Sequence, residues 1–447
     1  PRVDYLDNSK GSYLIEPSST NLITESEAFG KSYWTKNGAT IEGDASTAGS
    51  EEVSNGDFAT DTGWTKGTGS VISGGSLNHT GVTPSDTSQV IAITEKLYKL
   101  EYTILSGTGS VRFWSNVGSY TDTQSGVGTY VSYFNYDSSI GTNGRFAINL
   151  NGDISIDNIS VKEVQGFSAP SVDSPLGAFK LVLDNGGEIL KSMPFTVGTN
   201  YTFSFYAKTQ GGTFDFSFGN ISYANTTATA TNEWKRFEVT QSAVATTRFP
   251  KITTSSAGEM LIFGAQLEQK SFATSYIPTA ATVQTRLAET ASRSGLGDLV
   301  DSTEGVLYAE IKSFITQDTV NPNRYITLTN DTSNERVALL LGGNSNQLRA
   351  IIFSSTQSIN LSFTTSLTEV KQFNKLAIKY KSGDYAFFLN GIKIGGSTET
   401  NIFSSNTLND LSFDVGGGTQ KFFGKTKALA VWKEALSDEE LAELTTI

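Results

Sequence analysis

Short runs of alternating or continuous apolar residues, separated by glycine and asparagine, constrain the fold of this chain most strongly. Residues 201–206 (YTFSFY), 213–218 (TFDFSF) and 97–104 (LYKLEYTI) have the length and pattern of β-strands. Glycine pairs such as 74–75 and 211–212 separate runs of this kind, as turns between antiparallel strands do. No alternation of strands with helices is visible. The sequence therefore predicts an all-β protein made of β-sandwiches.

Two local patterns refine this prediction near the C-terminus. Residues 437–444 (SDEELAEL) have the pattern of a helix, because Ser437 can cap its first turn and Glu440 can complete a capping box. The early acidic residues also suit the positive end of the helix dipole. The pair Asn390-Gly391 predicts a type I′ turn between two strands.

Composition excludes several classes of function. The 447 residues hold 33 Lys and Arg against 45 Asp and Glu, a net charge of −12 that argues against nucleic-acid binding. The absence of Cys excludes thiolate catalysis, and a single His excludes multi-His metal sites. No apolar run approaches the ~20 residues that span a bilayer. The sequence starts at Pro1 without a signal peptide, so we take it as a processed chain or a fragment.

The region 49–164 has the signature of a separate module. It opens with residues 55–58 (NGDF) and 63–64 (GW), and it closes with residues 154–161 (ISIDNISV). These motifs resemble those of the jelly-roll carbohydrate-binding modules attached to many glycanases. The resemblance implies an inserted jelly roll whose first and last strands are neighbours, as an inserted domain requires.

The segments on either side of this insert resemble one interrupted domain. In order, they resemble the β-sandwich repeated in bacteriophage and prophage tail-fibre and receptor-binding proteins. We therefore assign residues 1–48 together with 165–285 to a discontinuous sandwich of that type. The motifs that carry the resemblance are EPSSTNL at 16–22, AFKL at 178–181, YTFSFYAK at 201–208, GAQLE at 264–268 and TSYIPT at 274–279.

The C-terminal region, 304–447, resembles a third kind of sandwich. Its hairpin at residues 387–394 (FFLNGIKI) and its last strand at 424–432 (GKTKALAVW), followed by LSDEEL, are typical of laminin-G or concanavalin-A-like lectin domains. Residues 286–303 are predicted to be a linker.

A sugar-binding site is predicted on the inserted module. Pyranose rings stack on aromatic side chains, and amide and charged groups hydrogen-bond their hydroxyls. If strand alternation holds, Arg112, Trp114 and Asn116 share one face. The full set of candidate ligand-binding residues is Arg112, Trp114, Asn116, Tyr120 and Gln124. The alternative is that Trp114 belongs to the core, as Trp34, Trp64, Trp234 and Trp432 are predicted to.

A structural Ca²⁺ ion is implied by the resemblance to jelly-roll modules, which often hold one between the opening loop and the last strand. Asp57 and Asp157 occupy the matching positions. Carboxylate and carbonyl oxygens are suitable calcium ligands. The alternative is that Asn55-Gly56-Asp57 is ordinary turn sequence.

Catalytic chemistry has weak support in the sequence. Glycosidases need two carboxylates, and here they would come from Glu25 with Glu27, Glu51 with Glu52, or Asp215. A lyase could combine Tyr380, Arg336 and Gln347, but no motif joins them. We expect the single His79 to be exposed or on an edge strand.

These observations favour a non-catalytic receptor-binding protein of a phage tail that recognises bacterial surface glycans. Such a protein would act in the virion, outside the cell, after synthesis in the host cytoplasm. The resemblance further implies other tail proteins as partners and a homotrimer. The alternatives are the accessory region of a polysaccharide lyase or glycoside hydrolase, with any catalytic domain missing or cryptic, and a purely structural virion protein.

Overall fold

The structure is a computed structural model that describes residues 2–4, 10–81, 83–91, 96–114, 123–135, 145–170, 176–314, 324–342, 347–355, 357–364, 372–400 and 403–447. The all-β prediction is confirmed, and one short α-helix is found in the described part. None of the described helical segments is long and apolar enough to cross a membrane. The chain divides into two compact units, residues 1–19 with 286–447 and residues 20–285.

The described strands follow one another with the bounds below, in chain order. Before the inserted module come β1 Arg2–Asp4, β2 Ser12–Ile15, β3 Ser19–Asn21 and β4 Thr35–Glu42. The inserted module contains β5 Ser70–Ser73, β6 Ser76–His79, β7 Ser85–Val90, β8 Leu97–Gly107, β9 Ser110–Trp114, β10 Gly128–Asn135, β11 Arg145–Asn151 and β12 Ile154–Glu163. After it come β13 Phe179–Leu190, β14 Met193–Pro194, β15 Asn200–Lys208, β16 Phe214–Gly219, β17 Asn225–Ala230, β18 Lys235–Ser242, β19 Thr247–Arg248, β20 Lys251–Thr253, β21 Gly258–Glu268 and β22 Gln284–Arg286.

The C-terminal region contributes the remaining strands and the helix. They are β23 Ser292–Arg293, β24 Glu304–Ser313, β25 Arg324–Thr329, β26 Arg336–Gly342, β27 Gln347–Phe353, β28 Ser358–Thr364, β29 Asn374–Lys381, β30 Tyr385–Leu389, β31 Ile392–Ser397, β32 Asp410–Ser412, β33 Gly424–Trp432 and the helix α1 Asp438–Thr445.

The first unit is a sandwich of two antiparallel sheets. One sheet has the order β1-β2-β33-β24-β29-β30-β31, and the other has the order β23-β32-β25-β26-β27-β28. Side chains from both sheets, such as Leu307 and Ile326, are fully buried in one core between them. Burial of this apolar surface is the main force that holds the two sheets together.

The composition of this unit differs from the predicted domain boundaries. Strand β2 pairs with β33, with Tyr13 opposite Thr426, so residues 1–19 belong to this sandwich and not to the tail-type one. The predicted linker also takes part in the fold, since Leu296 and Val300 are buried in the core. Apolar burial and strand pairing therefore tie both segments to the lectin-like sandwich.

Both local predictions near the C-terminus are confirmed. The Ser437 hydroxyl accepts from the Glu440 backbone N–H, and the Glu440 carboxylate accepts from the Ser437 backbone N–H, which completes the capping box of α1. Asn390 and Gly391 both have positive φ, +50° and +84°, as a type I′ turn between β30 and β31 requires.

The sandwich whose sequence motifs resemble those of tail fibres lies in the second unit and is built mainly on one antiparallel sheet. Its strand order is β17-β16-β20-β13-β21-β15-β18, with β4 also paired to β13. Strands β15 and β16 are not neighbours in this sheet, yet the rings of Phe205 and Phe218 lie 5.4 Å apart. Phe216 likewise contacts Phe237 of β18, with 5.0 Å between ring centroids. The sheet therefore curls until its two ends face each other across an aromatic core.

The inserted module is a second sandwich in the same unit. Its sheets have the orders β10-β8-β12-β6-β5 and β7-β11-β9, and Tyr102 of one sheet contacts Phe113 of the other at 4.5 Å. The chain enters and leaves the module side by side, because the Gly49 N–H donates to the Glu163 carbonyl over 2.8 Å. This arrangement is what an inserted module requires.

Candidate functional site

A row of polar side chains crosses the outer face of the three-stranded sheet β7-β11-β9. On β9, Val111 and Phe113 are buried in the core, so alternation directs Arg112 to the opposite face. The register places Asn149 of β11 directly opposite Arg112, and Asp86 of β7 directly opposite Asn149. Three strands thus bring Arg112, Asn149 and Asp86 into one line, which we call the polar row.

Hydrogen bonds connect the members of the polar row. The Arg112 Nε donates to the Asn149 Oδ1 over 3.1 Å, and the Asn149 Nδ2 donates to the Asp86 Oδ1 over 2.7 Å. Arg145 extends the row along β11, because its Nη2 lies 3.3 Å from the Asp86 Oδ2 and its Nε lies 3.3 Å from the Ser88 Oγ. Each side chain is therefore held in place by a neighbour on the next strand.

The polar row combines fixed geometry with access from solvent. Asn149 is 8% exposed, whereas the side chains of Arg145 and Asp86 are 34% and 27% exposed. Guanidinium groups offer several N–H donors, and a carboxylate offers acceptors only. Because these groups alternate along a rigid sheet, the row can donate to and accept from a ligand that carries many hydroxyl groups.

The structure brings together only part of the predicted sugar site. Arg112 belongs to the polar row. Gln124 pairs with Val111 through two backbone hydrogen bonds, which places its side chain on the face of Val111 and not on that of Arg112. Trp114 continues β9 opposite Ala147, but its side chain is not described. Asn116 and Tyr120 lie outside the described residues.

Sequence reasoning missed Asp86, Ser88, Arg145 and Asn149. The segment 146–151 (FAINLN) alternates, so it signals that Asn149 points away from the core. That signal does not reveal which strands lie beside β11. The row depends on pairing between segments far apart in the chain, which periodicity alone does not specify.

The motifs that carry the tail-fibre resemblance form a buried network instead of a binding surface. Asn21 is fully buried, and its Nδ2 donates to the carbonyls of Ala265 and Ile277 over 3.1 and 2.9 Å. Its Oδ1 accepts from the backbone N–H groups of Ile23 and Leu267 over 3.1 Å each. One asparagine thus joins the motifs TNL, GAQLE and TSYIPT.

Further bonds close this network. The Glu268 carboxylate accepts from the Thr274 backbone N–H over 2.9 Å and from the Gln266 Nε2 over 2.7 Å. The hydroxyls of Ser26 and Tyr276 lie 2.6 Å apart. Ser26, Gln266, Glu268 and Thr274 are buried and Tyr276 is half-buried, so these bonds replace hydrogen bonds to water. The motifs therefore connect residues 21–26 with residues 264–277 by hydrogen bonds between segments far apart in the sequence.

The candidate catalytic groups have structural partners. Glu25 pairs with Lys31 at 3.1 Å, Glu27 accepts from Tyr276 at 2.9 Å, and Glu51 accepts from the Val161 N–H at 2.7 Å. Asp215 accepts from the Thr229 hydroxyl over 2.5 Å. Each of these four carboxylates therefore has a hydrogen-bond or ion-pair partner within the protein.

The lyase combination is not assembled. Tyr380 is fully buried in the core between the two sheets, and its hydroxyl donates to the Asp301 carbonyl over 2.8 Å. The guanidinium of Arg336 lies on the outer face of the six-stranded sheet, over the ring of Phe353 at 4.6 Å. The phenol and the guanidinium therefore do not share a cleft.

The expectation for His79 is wrong. Its side chain is 1% exposed, and β6 lies between β12 and β5, so it is neither exposed nor on an edge strand. Its Nδ1 lies 3.0 Å from the Ser70 hydroxyl, and its Nε2 is buried without a hydrogen-bond partner in the described structure. Burial lowers the pKa of His79, partly opposed by the charge of Asp153.

The tryptophan predictions are confirmed in part. Trp34 and Trp64 are buried in the cores of their sandwiches. Trp234 is half-buried beside Lys208, whose Nζ lies 5.3 Å from the ring centroid, so it is not a core residue. Trp432 is also half-buried, and it packs with the cluster beneath α1.

The predicted calcium ligands lie on two loops that touch. The Ile159 N–H donates to the Gly56 carbonyl over 2.9 Å, which joins the loop of Asp57 to that of Asp157. Asp57 accepts from the Ala59 N–H, and Asp157 accepts from the Asn158 N–H. Among the described residues, no cluster of three or more His, Asp or Glu side chains is arranged to hold a metal. A calcium site here stays a prediction.

One family model matches part of the C-terminal region of the chain. Residues 311–442 match the family model of the concanavalin A-like lectin/glucanases superfamily, which confirms the predicted lectin-like resemblance over those residues. No curated protein matches the chain.

Solved structures show weaker likenesses. The CBM40 of Ruminococcus gnavus IT-sialidase, bound to alpha2,3 sialyllactose, is 15% identical with a TM-score of 0.29, covering 35% of this chain and 96% of that chain. Domain 4 of AbnA, a GH43 extracellular arabinanase from Geobacillus stearothermophilus in complex with arabinotriose, is 14% identical with a TM-score of 0.28, covering 34% and 69%. The SAP-like pentraxin from Limulus polyphemus is 16% identical with a TM-score of 0.27, covering 33% and 72%. At these TM-scores, the likenesses carry no argument about function.

Proposed function

We propose that this chain is a non-catalytic glycan-binding protein whose inserted module binds sugar on the polar row. The supporting observation is the line of Arg112, Asn149 and Asp86 on the outer face of β7-β11-β9. Sugars present vicinal hydroxyls that both donate and accept hydrogen bonds. A row in which a cation, an amide and a carboxylate alternate meets both requirements.

Pre-organisation is the second argument for this surface. The side chains of the polar row are already bonded to one another, so a ligand would not have to order them. Binding costs less conformational entropy when the site is fixed beforehand. A flat, fixed, hydrophilic surface suits a polysaccharide chain lying across the sheet.

The biological setting we propose is a phage tail that attaches to bacterial surface polysaccharide. The support is the ordered set of tail-type motifs, which interlock around Asn21 in the second unit. In this setting the chain would work outside the cell as part of a virion, together with other tail proteins. Display as a homotrimer would raise the effective concentration of weak sugar sites.

The test is a glycan-array screen of the intact chain, carried out with Ca²⁺ and with chelator, with reducing-end release recorded for every hit. Arg112→Ala and Asn149→Ala should lower affinity about 10- to 100-fold, the range expected for losing hydrogen bonds to charged groups. Lys99→Ala is the matched control, because Lys99 lies on the other sheet of the module and pairs with Glu101. It should leave affinity unchanged.

Each outcome of this screen is informative. Binding without release, weakened by Arg112→Ala and by Asn149→Ala but not by Lys99→Ala, supports the proposal. Cleavage of the bound glycan would favour the accessory or cryptic enzyme instead. Silence across bacterial polysaccharides would favour a structural virion protein.

A further inference from the structure

The loop between β16 and β17, residues 220–224, is held unusually firmly for a surface hairpin. Within this loop Ile221 is fully buried, and its backbone N–H donates to the Gln241 Oε1 over 2.8 Å. The Gln241 Nε2 donates to the Ala224 carbonyl over 2.7 Å. Arg248, itself 5% exposed, donates to the carbonyls of Ile221 and Asn220 over 3.1 and 2.8 Å. The loop is therefore rigid.

This rigid loop presents one aromatic side chain to solvent. Tyr223 is 68% exposed, so burial of its ring contributes little to stability. Its φ is +66°, a left-handed conformation that is unfavourable for a bulky residue. The backbone is therefore strained at a residue whose side chain does not pack in the core. Strain of this kind points to a function for the side chain.

The orientation of the Tyr223 ring is fixed from below. The Arg248 guanidinium lies 3.6 Å from the ring centroid, close enough for stacking. Since Arg248 is fixed by the loop carbonyls, it holds the ring in one orientation. One face of the ring rests on the guanidinium, and the high exposure of the residue leaves the other face open to solvent.

We propose that the open face of Tyr223 is a stacking platform for a neutral pyranose, a second sugar site on the tail-type sandwich. The apolar face of a sugar ring packs on an aromatic face, while its edge hydroxyls need polar partners. The half-buried Ser222 of the loop and the exposed Asn225 at the start of β17 are the nearest such partners in the sequence. This site lies outside the inserted module and does not depend on the polar row.

The same hairpin offers a second polar feature. A shallow depression of about 390 Å³ on β16 and β17 is lined mainly by hydroxyl and carboxylate groups, those of Asp215, Ser217, Thr227, Thr229 and Ser255. An acidic sugar that extended into this depression would be repelled by the Asp215 carboxylate, because like charges repel. A protein partner would need a larger apolar patch than one tyrosine beside the partly exposed Phe249. A neutral glycan fits these surroundings better.

The test is affinity electrophoresis of the full chain in gels containing galactan, β-glucan or mannan, with polygalacturonate as the acidic comparison. The starting protein carries Arg112→Ala with Asn149→Ala, which removes the polar row. We then add Tyr223→Gly, which deletes the ring and relieves the strained φ, or Tyr223→Phe, which keeps the ring. Tyr13→Ala, at a tyrosine 39% exposed in the other unit, is the control.

The row-deficient protein should be retarded by at least one neutral polymer, and Tyr223→Gly should lower this affinity about tenfold. Tyr223→Phe and Tyr13→Ala should retain it. Because Tyr223→Gly relieves backbone strain, the melting temperature of the protein should not fall. A loss of sugar binding in this variant could then not be ascribed to unfolding.

Two results would overturn the platform: no retardation of the row-deficient protein by any neutral polymer, or unchanged affinity in Tyr223→Gly. If the unmodified protein is retarded and the row-deficient protein is not, the polar row is the sugar site and Tyr223 is not one. If the row-deficient protein is retarded as strongly as the unmodified protein, and Tyr223→Gly abolishes this retardation, Tyr223 is the sugar site and the polar row is not one.

Discussion

The Nδ2 of Asn149 donates to the Oδ1 of Asp86 over 2.7 Å, across the pair of strands β11 and β7. The same amide accepts from Arg112 through its Oδ1. A neutral side chain therefore connects a cation with an anion on the face of one sheet. Removing it would disconnect the two charged ends of the polar row.

Asn149→Ala should therefore lower the stability of the inserted module by about 1–2 kcal/mol, the usual cost when buried polar groups lose a partner. Urea unfolding at pH 7 measures this change. Asn151→Ala is the matched control, because the described structure shows no side-chain hydrogen bond for Asn151, which lies two residues further along the same strand. Equal destabilisation by both variants would contradict a specific role for Asn149.

His79 should make the stability of the module depend on pH. Burial lowers its pKa below the ordinary value of 6.5, so the folded state favours the neutral ring. Its contribution is fully present above pH 6.5 and is lost as the pH falls through the lowered pKa. His79 is the single histidine of the chain, so its C2–H resonance can be titrated by NMR without assignment.

A midpoint below 6.5 is expected for the folded protein. His79→Gln should remove this part of the pH dependence of urea unfolding between pH 7.5 and pH 5. A midpoint at or above 6.5 would contradict the prediction.

Tyr276 should contribute an alkaline limit to the stability of the sandwich that contains β15 and β21. Burial and the nearby charge of Glu27 raise the pKa of Tyr276 above its ordinary value of 10. The unfolded phenol ionises near pH 10 while the folded one does not, so stability is present below pH 10 and is lost above it. Urea unfolding at pH 8 and pH 11 measures the loss.

Tyr276→Phe should cost about 1–2 kcal/mol at pH 8, because the hydrogen bond to Glu27 disappears. It should also reduce the additional loss between pH 8 and pH 11. If the loss of stability between pH 8 and pH 11 were unchanged in Tyr276→Phe, other tyrosines would account for that loss.

Asp438→Asn should loosen α1 from the sheet beneath it. Lys379 is 3% exposed, and its Nζ lies 2.8 Å from Asp438 and 2.9 Å from Asp384. Removing the charge of Asp438 leaves a buried ammonium with one carboxylate that is itself exposed, which we expect to cost about 1–2 kcal/mol. Hydrogen exchange of the α1 amides should accelerate about tenfold.

Asp384→Asn is the control for this pair. Asp384 is 55% exposed, so its loss should have a smaller effect on α1. Hydrogen bonds from Lys379 and Lys393 lower the pKa of Asp438, so the contribution of Asp438 is lost only as the pH falls below about 3.8.

Calcium should raise the melting temperature of the inserted module if Asp57 and Asp157 bind it. Differential scanning calorimetry with Ca²⁺ and with chelator measures this shift, which mass action ties to the dissociation constant. Asp57→Asn and Asp157→Asn should each reduce it. A melting temperature that is the same with Ca²⁺ and with chelator would contradict calcium binding by this module.

Local sequence signals predicted local structure well. The capping box of Ser437 and Glu440 and the turn at Asn390-Gly391 involve residues close in sequence, and both are found. The all-β class follows from periodicity, which is also a property of short segments. The three sandwiches could be recognised because their motifs lie within single strands and turns.

Long-range pairing was the part that the sequence did not predict. Asp86 and Asn149 meet because β7 lies beside β11, and nothing in either segment names its partner. Residues 1–19 were assigned to the wrong sandwich for the same reason, since their partner strand is β33. The burial of His79 depends on the position of β6 inside its sheet, which alternation does not reveal.

The pairing of β2 with β33 has a consequence for biosynthesis. Thr426, which lies opposite Tyr13, is made roughly 400 residues after it, a delay on the order of 20–80 s at ordinary translation speeds. Residues 20–285 are complete before that time and can fold first. Strands β1 and β2, which pair with each other, therefore lack β33 as a partner throughout this interval, so the sheet that they share with β33 is completed only after residues 20–285 have been made.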